Sequence, residues 1–291
     1  MREEMTATTT AGMFFEDFHV GQTFTSGLRR ITQNDLDAFI ALSGDGGAVH
    51  RDADYARSLG FDGPVVHGPF GVAVVFGLLY EQRIVEPTAI AMLDLEWRFL
   101  DAVVAGDQLR STMTITRRRR STSRQAGVLG RHFVLTKEDG TVVQEGSSSL
   151  LVQARGEPAT PEPAVCTDFC SVPWAKALEP LLSGNPDFVD ATSSYDGTIG
   201  LSCGRDAVQL RIYRGRILEV GRSTPAGPSF TLHGTELAWT RLARAGRNDF
   251  IARTSKGQFN MSGSAYEYLR MNKALVVIWD AVRTLAEQDP I

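Results

Sequence analysis

Residues 68–84 read GPFGVAVVFGLLYEQRI, and up to Tyr80 they are apolar on nearly every face of a helix. Such a helix has no side to turn to water, so it must be enclosed by the rest of its domain. After Pro87 the period changes. Leu93, Leu95, Trp97 and Phe99 alternate with Asp94, Glu96 and Arg98, which predicts a strand with one buried face. Further strands are expected over 107–118, 127–137 and 141–152, with a turn at Glu138-Asp139-Gly140 before the last. A buried helix followed by a meander of long strands gives an α+β layout: a curved antiparallel sheet wrapped around a central helix.

Upstream, residues 14–31 suggest a strand in their VGQTFTSGLRRI portion, and Thr32 is placed to cap a helix carrying Leu36, Phe39, Ile40 and Leu42. Between that helix and the apolar one lies GDGGAVHRDADYARSLGFDGPVVHG, residues 44–68. It sets a carboxylate, Asp45, and an imidazole, His50, around two glycines, and ends on His67-Gly68 where the apolar helix begins. A carboxylate and an imidazole can manage a proton, and a helix N-terminus can hold negative charge on an oxygen. Each part also has a plain structural reading. Asp45-Gly46-Gly47 makes a good turn by itself, and a lone histidine is more often a satisfied polar residue than a base. His67 reads as support for the helix start. It is the combination that favours an active site.

Composition limits the alternatives. A chain of 291 residues is long for one domain and comfortable for two. A net charge of −4 argues against a nucleic-acid binder or an anionic-membrane binder. The N-terminal residues lack the apolar run of a secretory signal, and no stretch is long enough to span a membrane. Cys166 and Cys170 have a C-x3-C spacing with no second pair nearby, so free thiols in a reducing cytoplasm are expected rather than zinc. The proline-rich segment 154–173 reads as a linker, dividing the chain into domains at 14–153 and 174–288.

In the first domain, Gly44-Asp45-Gly46-Gly47-Ala48-Val49-His50-Arg51-Asp52, then Tyr55-Ala56-Arg57, then Gly63-Pro64-Val65-Val66-His67-Gly68-Pro69 resembles the motif of the MaoC-like family, the (R)-specific enoyl-CoA hydratases. Asp139-Gly140-Thr141 falls at that family's last hairpin. The resemblance implies a hot-dog fold and a hydro-lyase acting on enoyl thioesters. It implies Asp45 and His50 as the catalytic pair and Gly68 as an oxyanion donor, with Gly47, His67 and Pro69 at the substrate. Two residues depart from the pattern. Gly47 replaces the usual asparagine and Ala48 the usual proline, which implies a floppier loop with one hydrogen-bonding group fewer. Pro69 suits a first helical turn. The run Arg117–Arg120 reads by default as a solvated face, with Arg117 and Arg119 as candidates for the phosphates of coenzyme A. Coenzyme A enters as part of the substrate, and no other cofactor or metal is expected.

In the second half the alternation predicts strands near 199–203, 208–213, 217–220, 230–232 and 256–262. Helices are expected over 174–182, after a Thr235 cap, and as one long amphipathic stretch over 265–287. The strings Ser229–Trp239 and Gly257–Gly263 resemble the SCP2-like (sterol carrier protein 2) lipid-binding fold, which implies an acyl-chain or lipid ligand. The last helix covers an apolar tunnel, completes a core, or docks on the first domain. The two resemblances together imply a cytoplasmic, homodimeric enzyme of fatty-acid metabolism working on an acyl-CoA or acyl-carrier thioester. A non-catalytic acyl-CoA or lipid carrier and a hot-dog thioesterase remain alternatives.

Overall fold

The computed structural model describes residues 12–157 and 166–289. The N-terminal segment and the prolines 158, 161 and 163 of the expected linker lie outside them. The chain divides into two compact units. The first takes in the residues up to Phe18, Gln22–Ile115 and Arg124–Glu157; the second takes in His19–Gly21, Thr116–Ser123 and the C-terminal half.

The first unit opens with two short strands, β1 (Thr23–Thr25) and β2 (Arg29–Arg30), where a single longer strand is expected from the sequence. Helix α1 (Gln33–Ser43) is capped by Thr32, whose side chain accepts from the Asp35 amide while the Asp35 carboxylate accepts from the Thr32 amide. Leu36 is its buried anchor, and Gly44 ends it in a left-handed conformation with φ 76°. Two short helices follow, α2 (Ala48–Arg51) and α3 (Ala53–Ser58), and then α4 (Gly68–Glu81). Four long strands follow: β3 (Ala89–Phe99), β4 (Gln108–Arg120), β5 (Ala126–Lys137) and β6 (Val142–Gln153), and the last residues of β4, from Thr116 on, are counted with the second unit.

These strands make one sheet in the order β1-β4-β5-β6-β3, with β2 beside β4. The register sets Leu129 opposite Leu150, and Phe133 opposite Gly146. Val74, Val75 and Leu78 of α4 share a buried core with Leu129, Phe133 and Leu135 of β5. Burying each such side chain contributes about 1.5–3 kcal/mol.

Two expectations need correcting here. Helix α4 is not enclosed on every face: Ala73 is exposed, and Tyr80 is 62% exposed. Strand β3 does not bury one face within the chain either. Leu93 and Phe99 are 53% and 57% exposed, and only Trp97 is half-buried. The alternation is real, but β3 is the edge strand of the sheet, and among the described residues nothing covers the apolar row.

The second unit holds α5 (Val172–Ser183), α6 (Pro186–Ala191), β7 (Asp196–Cys203), β8 (Asp206–Tyr213), β9 (Arg216–Gly221), β10 (Phe230–Gly234), α7 (Glu236–Ala243), α8 (Phe250–Ser255), β11 (Phe259–Gly263), α9 (Ala265–Arg270) and α10 (Asn272–Ala286). Its sheet runs β11-β10-β7-β8-β9, with β10 parallel to β7 and every other pair antiparallel. Thr235 caps α7 as expected, its side chain accepting from the Ala238 amide. The single helix expected over 265–287 is in fact two, broken at Met271. Helices α6 and α8 were not legible in the sequence.

Trp174, Trp239 and Trp279 are fully buried at the centre of this unit, with Trp239 and Trp279 ring centroids 4.5 Å apart. Leu275, Ile278, Val282 and Leu285 of α10 close that core. The three cysteines are unpaired thiols, and burial raises the thiol pKa of Cys170 and Cys203 well above the ordinary value.

Candidate active site

The turn after α1 carries Asp45. The Gly47 amide lies 3.4 Å from Asp45 Oδ1, and the Asp45 amide donates to Ser43 Oγ. Gly47 then starts α2, so His50 comes round one helical turn later. That turn is closed by the His50 amide on the Gly47 carbonyl and the Asp52 amide on the Ala48 carbonyl. The two departures from the motif, Gly47 and Ala48, sit inside this hydrogen-bonded turn.

His50 is fixed from its far side. Its Nδ1 lies 2.6 Å from the Val65 carbonyl oxygen, which can only accept, so Nδ1 carries the hydrogen. In the neutral ring the lone pair is then on Nε2. His67, 3% exposed, lies at the N-cap of α4, but its side chain does not cap the helix. Its Nε2 donates instead to the Asp45 carbonyl oxygen at 2.9 Å and stands 3.7 Å from Asp45 Oδ2. The His67 ring thus ties the aspartate turn to the start of α4. The His50 and His67 rings are stacked.

Asp45, His50 and His67 each present one nitrogen or oxygen, and these three atoms lie within 4.8 Å of one another. Stacked rings direct their lone pairs along nearly parallel lines, so one ion cannot lie in both ring planes. The arrangement suits proton transfer better than metal ligation. The Asp45 side chain is 61% exposed, open to a substrate.

Gly68 opens α4, where a first-turn amide has no acceptor inside the helix. A methyl group at this position would come within 2.7 Å of the Phe99 ring. Gln144 supports the same turn. Its Nε2 donates to the Gly68 carbonyl at 3.2 Å, while its Oε1 accepts from Trp97 Nε1 at 3.0 Å. Phe39 packs on the His67 ring with centroids 5.0 Å apart. Sequence reasoning missed Phe39, Val65, Phe99 and Gln144. Gln144 left a signal, a polar residue on a strand face shared with Leu150 and Val152. Val65 acts through its backbone and left none.

Asp45, Gly47, His50, His67, Gly68 and Pro69 are thus brought together. Arg117 and Arg119 are placed in the second unit. Arg117 pairs with Asp206 at 2.9 Å and Glu236 at 3.2 Å, and its side chain is only 16% exposed. Arg119 pairs with Asp168 and Asp206, both at 2.8 Å. The arginine run is therefore not a solvated face, since these two charges are met by carboxylates of the chain itself.

Residues 17–133 match the family model described as the MaoC like domain. A β-methylmalyl-CoA dehydratase from Chloroflexus aurantiacus is 29% identical over 163 residues, which are 55% of this chain and 45% of that protein. The chain thus spans less than half the length of that relative. An (R)-specific enoyl-CoA hydratase from Rhodospirillum rubrum is 29% identical over 147 residues, 49% of this chain and 94% of that one. Among solved structures, a MaoC domain protein dehydratase from Chloroflexus aurantiacus is 31% identical, covering 54% of this chain and 45% of that chain, with a TM-score of 0.50.

The first unit accordingly carries a MaoC-like dehydratase domain of hot-dog type. Relatives named hydratase and dehydratase make hydro-lyase chemistry the class to which that domain family points. No helix among the described residues is long and apolar enough to cross a membrane.

Proposed function

We propose that the first unit hydrates trans-2-enoyl thioesters to (3R)-3-hydroxyacyl thioesters, or runs the reverse dehydration. The observation that carries this reading is the orientation of His50. With Nδ1 held by the Val65 carbonyl, the basic Nε2 is left for a water molecule, next to Asp45 and the start of α4. Nε2 takes a proton from water as the hydroxyl oxygen attacks C3. The electron pair moves to the thioester oxygen, where the Gly68 amide and the N-terminal end of α4 stabilise the enolate. Asp45 orients the water and relays the proton to C2, so that H and OH of one water are added. The site is not committed to one direction, because the same groups reverse the sequence.

The exposed apolar row of β3 supports a homodimer built on that edge, with Leu93, Leu95 and Phe99 as the buried seam. The second unit we read as an SCP2-like domain, on its sequence strings, that presents acyl chains or lipid to the first. Its α10 packs its apolar face against α5, α6 and α7, which favours the core-completing role for that helix.

The test is loss of the enoyl-thioester ultraviolet band with CoA substrates, for wild type, Asp45→Asn and His50→Ala. Hydration lost in both variants supports the mechanism. Unchanged turnover in His50→Ala sinks it. Binding without turnover in the wild type favours the carrier, and release of free CoA the thioesterase.

A further inference from the structure

Strand β5 turns one face toward α4, and Leu129, Phe133 and Leu135 on that face are fully buried. Arg131 shares it and is 3% exposed. A guanidinium in such a place is costly unless it is paired. Its Nη2 donates to Ser148 Oγ at 2.6 Å, and its Nε has no hydrogen-bond partner among the described residues. The rings of Phe76 and Phe133, 5.9 and 5.2 Å away, offset part of the cost. Asp94, whose charge bears on it, uses one carboxylate oxygen for the Ser149 amide and the other for the Ser149 hydroxyl. Burial lowers the Arg131 pKa to about 10, as expected of a cation without a close counter-ion.

Arg131 lines a cleft of about 410 Å³ whose other walls are mostly apolar, with Leu79, Ile84, Met92 and Leu150 among them. Two exposed residues of opposite charge, Arg83 and Glu86, also border it. The cleft lies along the later turns of α4. Phe76 is eight residues beyond Gly68, about 12 Å along the axis at the rise of a helix. A mostly apolar cleft walled in part by a guanidinium with no close counter-ion among the described residues matches a ligand that is apolar along its length and anionic at its tip.

We propose that Arg131 receives a carboxylate at the far end of the acyl chain, so that the preferred substrates are monothioesters of unsaturated dicarboxylic acids. This rests on the hydration reading above. The guanidinium hydrogens that Ser148 leaves free would receive the carboxylate, with Ser148 steadying the group. A phosphate group fits the cleft less well, because its second charge would face the apolar walls.

Two ladders of CoA thioesters test this, trans-2-enoic and trans-2-enedioic, matched in chain length, with hydration followed in wild type, Arg131→Gln and Arg131→Lys. The expected result is a kcat/KM at least about 100-fold higher for the carboxylate-tipped series at the fitting length. That preference should collapse in Arg131→Gln and be partly kept in Arg131→Lys. Equal or better turnover of the plain enoyl series by the wild type overturns the proposal, without need of any variant. If the wild type hydrates neither series, titration calorimetry with the saturated monothioesters decides instead. Preferential binding of the carboxylate-tipped ligand, lost in Arg131→Gln, upholds the Arg131 assignment while the hydratase reading fails. No preference in binding overturns both.

Discussion

The imidazole rings of His50 and His67 stack face to face, with centroids 3.6 Å apart and planes inclined by 23°. His50 is thereby held on two sides, by the Val65 carbonyl at its Nδ1 and by the His67 ring on its face. His67 is held in turn by the Asp45 carbonyl. The Asp45 turn, the His50 ring and the start of α4 are one hydrogen-bonded and stacked unit.

His67→Gln keeps a donor for the Asp45 carbonyl and removes the ring beneath His50. Its kcat should fall by about 10-fold with little change in KM, against a loss of about 10²–10⁴ in His50→Ala. Steady-state enoyl-thioester absorbance separates the two. Equal losses would mean that His67 itself handles the proton.

Gly68→Ala places a methyl group against Phe99. Overpacking of this kind costs about 1–3 kcal/mol. The unfolding midpoint in urea should fall, and the added change Phe99→Ala should recover most of it. A midpoint unchanged in Gly68→Ala would show that the Phe99 ring moves aside freely.

Arg117→Ala leaves Asp206 and Glu236 short of a partner in a largely buried cluster. We expect a loss of about 1–3 kcal/mol of stability, read as a lower thermal midpoint. The KM for a CoA thioester should be unaltered. A several-fold rise in KM at unchanged stability would instead return Arg117 to the substrate phosphates.

Asp17 accepts from both Arg155 guanidinium nitrogens, at 2.6 and 2.8 Å, and from the Phe14 amide. The Arg155 hydrogen bonds hold its pKa below the ordinary 3.8, against a smaller opposing effect of burial. A carboxylate with a depressed folded pKa stabilises above its unfolded value, and that contribution is lost as pH falls through the folded one. The thermal midpoint should therefore hold steady down to the region of 3.8 and decline below it. In Asp17→Asn the decline should be shallower.

Local signals carried much of the first unit. The Thr32 cap, the glycine after α1, Pro69 at the start of α4 and the strand alternation each act within a few residues, and each has its counterpart in the structure. What failed depended on partners distant in sequence. Leu93 and Leu95 alternate as a buried face does, yet no element among the described residues packs over that face. The break at Met271 interrupts an amphipathic pattern that continues unchanged across it. Arg131 was legible in principle: it falls on the alternation with Leu129, Phe133 and Leu135, where a charge is out of place. Arg117 and Arg119 looked like free positive charge because Asp168, Asp206 and Glu236 lie far along the chain.

The distribution of tryptophan gives the chain a built-in optical asymmetry. Three of its four indoles are sealed in the second unit, and only Trp97 belongs to the first, bonded through Gln144 to the turn at Gly68. Intrinsic emission is thus dominated by the second unit's core and reports mainly on its melting. A single Trp97→Phe replacement would isolate, by difference, the spectrum of the residue next to the proposed chemistry.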